Sequence, residues 1–350
     1  MNRTTDITAL VRPNIMKLKP YSSARDEFDQ SEREMVFLDA NENPFENGVN
    51  RYPDPQQRSL KTELASIKGT ESSHILLGNG SDEVLDLIFR VFCEPGKDNI
   101  ISLPPTYGMY SVLAATNDIE NREVLLTGDF QPDVNKILNA VDEQTKIVFL
   151  CSPNNPTGNS FSEEAVTALL NGFKGMVVID EAYIDFSENE SWLNRLEDYP
   201  NLIVTQTLSK AYGVAGIRIG VCYASSLVIE LLNKIKPPYN VNKLSQERAL
   251  KRLLNREEVE KEVQLILGEK QKLYKALENV SFVRELFRSD ANFILARVDD
   301  ATRRYDQLIA AGVVVRNRTS QPLCENTLRF TVGTSEENER LLEALKKLEQ

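Results

Sequence analysis

Apolar positions along this chain follow two periods. Residues 60–68 space their apolar side chains as a helix, which Gly69 ends. Residues 82–92 form another, with Leu85, Ile88 and Phe92 on one face. Between such segments lie short, almost wholly apolar runs at 99–103, 146–151, 176–180, 202–205 and 219–223. Runs of this length, separated by helices, predict strands of a mostly parallel sheet covered on both faces. Residues 1–45 read as irregular, punctuated by Pro13, Pro20 and Pro44. Pro237-Pro238 breaks the pattern, and charged helical sequence follows over 244–280. The chain then reads strand (292–298), helix (302–311, closed by Gly312), strand (313–316), strand (327–332), helix (336–348). The expected fold is α/β: a three-layer, mostly parallel central sheet with a smaller α+β domain. Its expected division is an N-terminal arm joined to the small domain (1–45), a large domain (46–237) and a small C-terminal domain (238–350).

The bulk properties fit that picture. A chain of 350 residues with 41% hydrophobic residues is long enough for one large and one small domain. A net charge of −11 argues against nucleic acid or an anionic membrane as partner, so any anionic ligand must be held by a few local cations. No apolar run is long enough to span a bilayer. Met1–Asp6 has no basic segment leading into an apolar one, so no secretory signal is expected. Cys93, Cys151, Cys222 and Cys324 lie far apart, with neither metal-type nor disulfide-framework spacing, which favours a reducing cytoplasm. The single histidine, His74, rules out a multi-histidine metal site, and no metal is expected. Proton transfers would run through Lys, Tyr or carboxylate.

Four segments carry candidate chemistry, each at a predicted strand end, where ligands of parallel α/β sheets bind. Gly78-Asn79-Gly80-Ser81-Asp82-Glu83 opens directly into a helix, a phosphate cradle or an ordinary turn capped by Ser81. Asn154-Asn155-Pro156-Thr157-Gly158 follows the strand ending at Cys151 and offers an amide to a ligand oxygen, or is simply turn chemistry. Asp180 ends a buried strand. Its carboxylate needs a partner such as a protonated heterocyclic nitrogen, unless it caps a helix, and Tyr183 lies three residues on. Thr207-Leu208-Ser209-Lys210 sets a lysine among small and hydroxyl residues, with Arg218 between glycines eight residues later. A lysine near another cation has a lowered pKa and attacks carbonyls, whereas most lysines are merely solvated.

In this order the segments resemble the fold-type I pyridoxal-5′-phosphate (PLP) aminotransferases over nearly the whole chain. Within them the sequence is most similar to the histidinol-phosphate aminotransferase group. The subgroup motifs are Arg12-Pro13-Asn14, Pro20-Tyr21-Ser22-Ser23-Ala24-Arg25, Leu38-Asp39-Ala40-Asn41-Glu42-Asn43-Pro44, Arg51-Tyr52-Pro53-Asp54, Pro105-Thr106-Tyr107-Gly108-Met109-Tyr110 and Leu328-Arg329-Phe330-Thr331-Val332-Gly333-Thr334. The resemblance implies that Lys210 carries PLP as a Schiff base and Asp180 pairs with the pyridine nitrogen. Asn155 and Tyr183 would bond the ring's 3′ oxygen, and Tyr107 would stack on the ring. Ser81, Asp82, Thr207, Ser209 and Arg218 would hold the phosphate, with Tyr52 reaching it from the other subunit of a homodimer. Tyr21, Asn41, Arg316 and Arg329 would line the substrate side. Arg318 rivals Arg316, because strand alternation puts both on one face. The implied reaction moves an amino group between L-histidinol phosphate and 2-oxoglutarate, giving imidazole acetol phosphate and L-glutamate, in histidine biosynthesis. The same scaffold also suits a general aromatic amino-acid aminotransferase or a PLP decarboxylase of a phosphorylated amino acid. A non-catalytic nucleotide-binding protein would leave Lys210 and Asp180 without purpose.

Overall fold

The computed structural model describes residues 6–20 and 36–349. Its larger sheet contains β1 (Ile75–Asn79), β2 (Asn99–Ser102), β3 (Glu120–Glu123), β4 (Thr145–Cys151), β5 (Met176–Asp180), β6 (Leu202–Thr207) and β7 (Ile219–Ala224), in the order β1-β7-β6-β5-β4-β2-β3. The pairs β3/β2, β2/β4, β4/β5 and β5/β6 are parallel. β7 alone runs against the rest, antiparallel to both β6 and β1. The smaller sheet is antiparallel, with β8 (Val283–Leu286), β9 (Phe293–Val298), β10 (Arg316–Asn317) and β11 (Thr327–Thr331) in the order β10-β11-β9-β8.

The apolar runs of β4 and β5 are explained by burial on both faces. Alternate side chains leave a strand on opposite sides. Val148, Leu150, Val177 and Ile179 enter one core, with Leu60 and Leu64 of helix Arg58–Lys68 and Leu169 of helix Glu163–Gly172. Ile147, Phe149, Met176 and Val178 enter the other, with Ile88 and Phe92 of helix Ser81–Phe92 and Leu232 of helix Ser226–Ile235. Gly69 ends the first of these helices in the left-handed conformation, φ 66°, as its position implies.

A third core lies behind the smaller sheet. Ile294, Ala296, Leu328 and Phe330 pack there with Leu273, Leu277, Leu341 and Leu345. The alternate face of β9 points the other way, so Phe293 joins the large-sheet core and meets Tyr183 edge-on at 5.2 Å. The face of the smaller sheet that carries Arg329 is thereby turned toward the strand ends of the larger one. Helix Arg256–Leu277 spans both bodies: Val259 and Val263 belong to the first core, Leu273 and Leu277 to the third. Pro237 and Pro238 fall between helices Ser226–Ile235 and Lys243–Leu254.

Two expectations change, and a third, the helical stretch after Pro238, holds with a break in it. The N-terminal stretch is not wholly irregular. Ile7–Leu10 and Pro13–Lys17 are short helices whose Ile7 and Ile15 are buried against the large sheet, and Pro13 begins the second where its missing N–H costs nothing. The charged stretch after Pro238 is two helices, Lys243–Leu254 and Arg256–Leu277, meeting at Asn255. The strand expected over 313–316 pairs only at Arg316 and Asn317, because Val314 points into solvent at the sheet edge.

Candidate active site

Every segment singled out at a predicted strand end meets at one edge of the large sheet. The parallel strands β2, β4, β5 and β6 end there. β7, running the opposite way, begins there and brings Arg218 beside the end of β1. Backbone bonds tie these ends together: Ser152 N–H donates to Asp180 O (3.0 Å), Glu181 N–H to Thr205 O (2.8 Å) and Gly80 N–H to Arg218 O (2.8 Å).

Asp180 is 3% exposed. Its Oδ2 accepts from the Tyr110 hydroxyl at 2.9 Å and its Oδ1 from the Ala182 N–H at 3.1 Å. Among the described residues no lysine or arginine forms an ion pair with it. Burial therefore pushes its pKa up to about 6, against the opposing pull of the Tyr110 bond. Asp180 ends β5 and caps no helix. The Lys210 ammonium lies 5.7 Å from the centre of the Tyr183 ring, and no described side chain bonds or ion-pairs with it. Burial, then the charge of Arg329, lowers its pKa. Lys210 is nonetheless open to the cleft, more so than its apolar surroundings suggest. Tyr183 is buried, and that burial raises the pKa of its phenol.

The turn after β1 is shaped by close backbone approach. Gly80, not Ser81, caps helix Ser81–Phe92, with φ 80°. A Cβ on Gly80 would lie 2.5 Å from the Arg218 guanidinium, and one on Gly220 would lie 2.4 Å from Ser81 N. The helix thus presents its N-terminal N–H groups beside Arg218. That guanidinium sits 3.5 Å from the Asp82 carboxylate, which also accepts from the Tyr107 hydroxyl at 3.0 Å. Ser81 Oγ faces Gln206 O at 3.5 Å, Thr207 Oγ1 donates to Ile219 O at 3.3 Å, and Ser209 N–H donates back to Thr207 Oγ1 at 3.1 Å.

On the opposite wall, Arg329 Nη1 donates to Asn155 Oδ1, and its guanidinium lies 5.0 Å from the Phe293 ring centre. Arg316 stands opposite Arg329 in the β10/β11 register but is exposed, whereas Arg318 is half-buried. Asn154 is buried and structural, bonding Pro105 O (2.9 Å) and Thr157 Oγ1 (2.7 Å), which leaves Asn155 as the residue facing the cleft wall.

The structure therefore gathers Ser81, Asp82, Tyr107, Asn155, Asp180, Tyr183, Thr207, Ser209, Lys210, Arg218 and Arg329 around one cleft. Asn41 and Tyr52 are elsewhere. They line a separate groove with Arg51, Asn242 and Leu244, where Tyr52 stacks on Tyr239 at 4.5 Å. Tyr21 lies outside the described residues. Two residues escaped the sequence reading. Tyr110, three residues after Tyr107, carries the hydroxyl on Asp180. Glu181 is buried beside it and accepts from Trp192 N–H (2.7 Å) and Gln206 Nε2 (2.9 Å), its pKa pushed up to about 7 by burial. Tyr110 lies within the Pro105–Tyr110 motif and Glu181 directly follows Asp180, and neither role shows in the local residue pattern.

The donor set suits one kind of ligand. A buried carboxylate without a cation accepts a protonated ring nitrogen. An unpaired lysine takes an aldehyde, and a helix N-terminus beside an arginine takes a phosphate. PLP has all three groups, and these residues fit it.

Comparison with known proteins agrees. The family described as aminotransferase class I and II matches residues 32–345. The histidinol-phosphate aminotransferase of Flavobacterium johnsoniae is 66% identical over 346 residues, 99% of either chain. That of Bacteroides fragilis is 53% identical over 338 residues, covering 97% of this chain and 98% of its own. Among solved structures, the Clostridium acetobutylicum histidinol-phosphate aminotransferase superposes with a TM-score of 0.79 at 24% identity, covering 86% of this chain and 91% of that one. The Sinorhizobium meliloti enzyme in complex with PLP gives 0.77 at 23% identity, covering 85% and 84%. With the fold-type I architecture, the strand-end cluster and whole-length identity in hand, this chain belongs to the class I and II aminotransferases, in the histidinol-phosphate aminotransferase group.

Proposed function

We propose that this enzyme uses PLP to transfer the amino group of L-histidinol phosphate to 2-oxoglutarate, giving imidazole acetol phosphate and L-glutamate, in histidine biosynthesis. The observation that carries the reading is the juxtaposition of Lys210 and Asp180, neither ion-paired among the described residues, with Arg329 on the facing sheet.

Lys210 would hold PLP covalently. Asp180 would keep the ring nitrogen protonated, Asn155 and Tyr183 would bond the 3′ oxygen, and Tyr107 would lie against the ring. The N-terminal amides at Ser81 and Asp82, with Thr207, Ser209 and Arg218, would bind the phosphate. The bound cofactor supplies an electron sink for the substrate carbon that loses a proton. The remaining work falls to side chains. Once the substrate's amine has displaced it from the cofactor, Lys210, whose pKa burial and then Arg329 lower, would take the α-proton onto Nζ, work for which a histidine is not needed. Tyr110 fixes the Asp180 carboxylate through its hydroxyl, so that charge does not reorganise during the reaction. Arg329, with Arg316 and Tyr21, would take the anionic end of the substrate, because guanidinium pairs bidentately with phosphate and carboxylate.

We further propose that the active unit is a homodimer. Tyr52 stays 52% exposed and away from Lys210. Its groove shares a surface with the exposed apolar side chains Val49 and Leu244, while Leu38 and Phe45 are exposed nearby in sequence. Apolar side chains gathered like this mark a docking face.

Three outcomes test these readings. Purified enzyme mixed with L-histidinol phosphate converts its PLP to the aminated form, seen by absorbance, far more efficiently than with L-phenylalanine. Equal efficiency points instead to a general aromatic aminotransferase, and carbon dioxide release without 2-oxoglutarate to a decarboxylase.

Asp180→Asn retains PLP but loses roughly hundredfold or more of kcat, the scale of a lost preorganised electrostatic partner. Its folding carries a pH signature as well. The folded carboxyl has its pKa raised from 3.8 to about 6, so its contribution is greatest below 3.8 and is lost as pH rises through 6. Denaturant unfolding of the cofactor-free pair should show the variant gaining on wild type between those values. Near-normal turnover, or a parallel pH dependence, refutes the assignment.

Mixing Tyr52→Ala with Lys210→Ala, each inactive alone, regenerates at most about a quarter of the wild-type sites through hybrid dimers. A fully active monomer in sedimentation would defeat the dimer.

A further inference from the structure

Lys210 sits in a turn between β6 and β7, not in either strand. The turn closes on itself through Gly213 N–H to Lys210 O at 3.0 Å and Val214 N–H to Leu208 O at 3.2 Å, with Gly213 in the left-handed conformation, φ 67°. Carbonyls inside such a turn have no ladder to pair with and must find partners elsewhere. The Lys210 side chain is open to the cleft, so its place is set by its backbone.

Helix Lys243–Leu254 lies along this turn and holds both of its ends. Ser245, Ala249 and Arg252 fall on one stripe of that helix, at i, i+4 and i+7. Ser245 Oγ donates to Ile217 O at 2.8 Å, one residue before Arg218. Arg252 Nε donates to Tyr212 O at 2.7 Å, two residues after Lys210. The Tyr212 ring is itself buried in the first core, so this residue is fixed at ring and carbonyl alike.

The Arg252 side chain is 12% exposed, and its terminal nitrogens bond Glu258 Oε2 at 3.2 Å and Glu262 Oε2. Both carboxylates lie in the first two turns of helix Arg256–Leu277, which carries on into the third core. They are about half exposed, at 54% and 44%, so as ion pairs they contribute little. What they do is orient a planar guanidinium, whose inner edge then meets the Tyr212 carbonyl.

We propose that Arg252 is a positioning residue for amino transfer. It holds the Tyr212 carbonyl, and through it the backbone of Lys210, so that Nζ stands where the α-proton is delivered. The inference rests on the amino-transfer reading above, and Arg252 acts through Lys210 rather than on a ligand.

The test compares PLP-loaded wild type, Arg252→Gln, Arg252→Lys and Arg304→Gln. Arg304 is the control because it is a buried guanidinium with similar bonds, to Leu348 O at 3.0 Å and Asp299 at 2.8 Å, on helix Ala301–Ala310 behind the smaller sheet. Amide hydrogen exchange, amino transfer from L-histidinol phosphate and thermal unfolding are measured for each. Arg252→Gln should speed exchange over residues 208–214 by about tenfold or more, the weight of one charge-assisted bond, while the β4 amides keep their wild-type rates. Its kcat should fall about tenfold or more, with the donor's KM within about twofold, as expected when a reacting group is misplaced and binding is not. Arg252→Lys should show both changes at smaller size, and it decides the matter alone if Arg252→Gln does not fold. Arg304→Gln should lower Tm and leave both readouts unchanged. Wild-type exchange over 208–214 in the Arg252 variants overturns the role of Arg252, as does faster exchange there with kcat unchanged. A fall in kcat matched by Arg304→Gln overturns it too. In each case the amino-transfer reading stands on the wild type's own turnover. A wild type that transfers no amino group removes that reading, and this inference with it.

Discussion

Asp180 carries a buried carboxylate at the end of β5 whose hydrogen-bond partners are a phenol hydroxyl and a backbone N–H. Neither neutralises it, and the rest of the site is arranged around that deficit. A protein that buries an acid this deeply either protonates it or brings a cation from outside. Burial shifts the pKa of Asp180 upward, in the direction of the first solution, and a protonated heterocycle would provide the second. Lys210 and Arg329 repeat the theme with the opposite sign, as cations facing the cleft with no carboxylate paired to them among the described residues. In the function proposed for this chain, the partners of these charges are ligands.

What places these charges together is sheet topology. Parallel strands deliver their C-terminal ends to one edge, and the single reversed strand, β7, delivers its N-terminal end there too. Arg218, just before β7, thus lies beside Gly80 at the end of β1, and Gly220 of β7 meets the backbone of Ser81 too closely for a side chain. The smaller sheet closes the other side. Phe293 of β9 packs on Tyr183, which fixes Arg329 opposite Asn155. Helix Arg256–Leu277, rooted in two cores, joins the halves.

Much of this was legible in the sequence because burial on both faces writes a strand as a plain apolar run. β4, β5, β6 and β7 were readable for that reason, and with them the positions of Asn155, Asp180, Lys210 and Arg218. β3 was not: its residues, Glu-Asn-Arg-Glu, form a polar edge strand whose pairing comes from the backbone. The Ile7–Leu10 and Pro13–Lys17 helices are too short to show a period. Tyr110 was missed because its role depends on helix Met109–Thr116 folding back over β5, a contact 70 residues apart in sequence. Arg316 and Arg318 could not be separated by alternation, which puts both on one face. The depth at which each sits is a tertiary property, and it buries Arg318 rather than Arg316.

The claim on which the account turns is that Lys210 is unpaired because it carries the cofactor. Borohydride reduction of the PLP-loaded enzyme, followed by digestion and peptide mapping, measures this directly. The account predicts a single pyridoxyl label on Lys210 in the segment between Ser209 and Arg218. A label on another lysine, or PLP retained with none on Lys210, would contradict it.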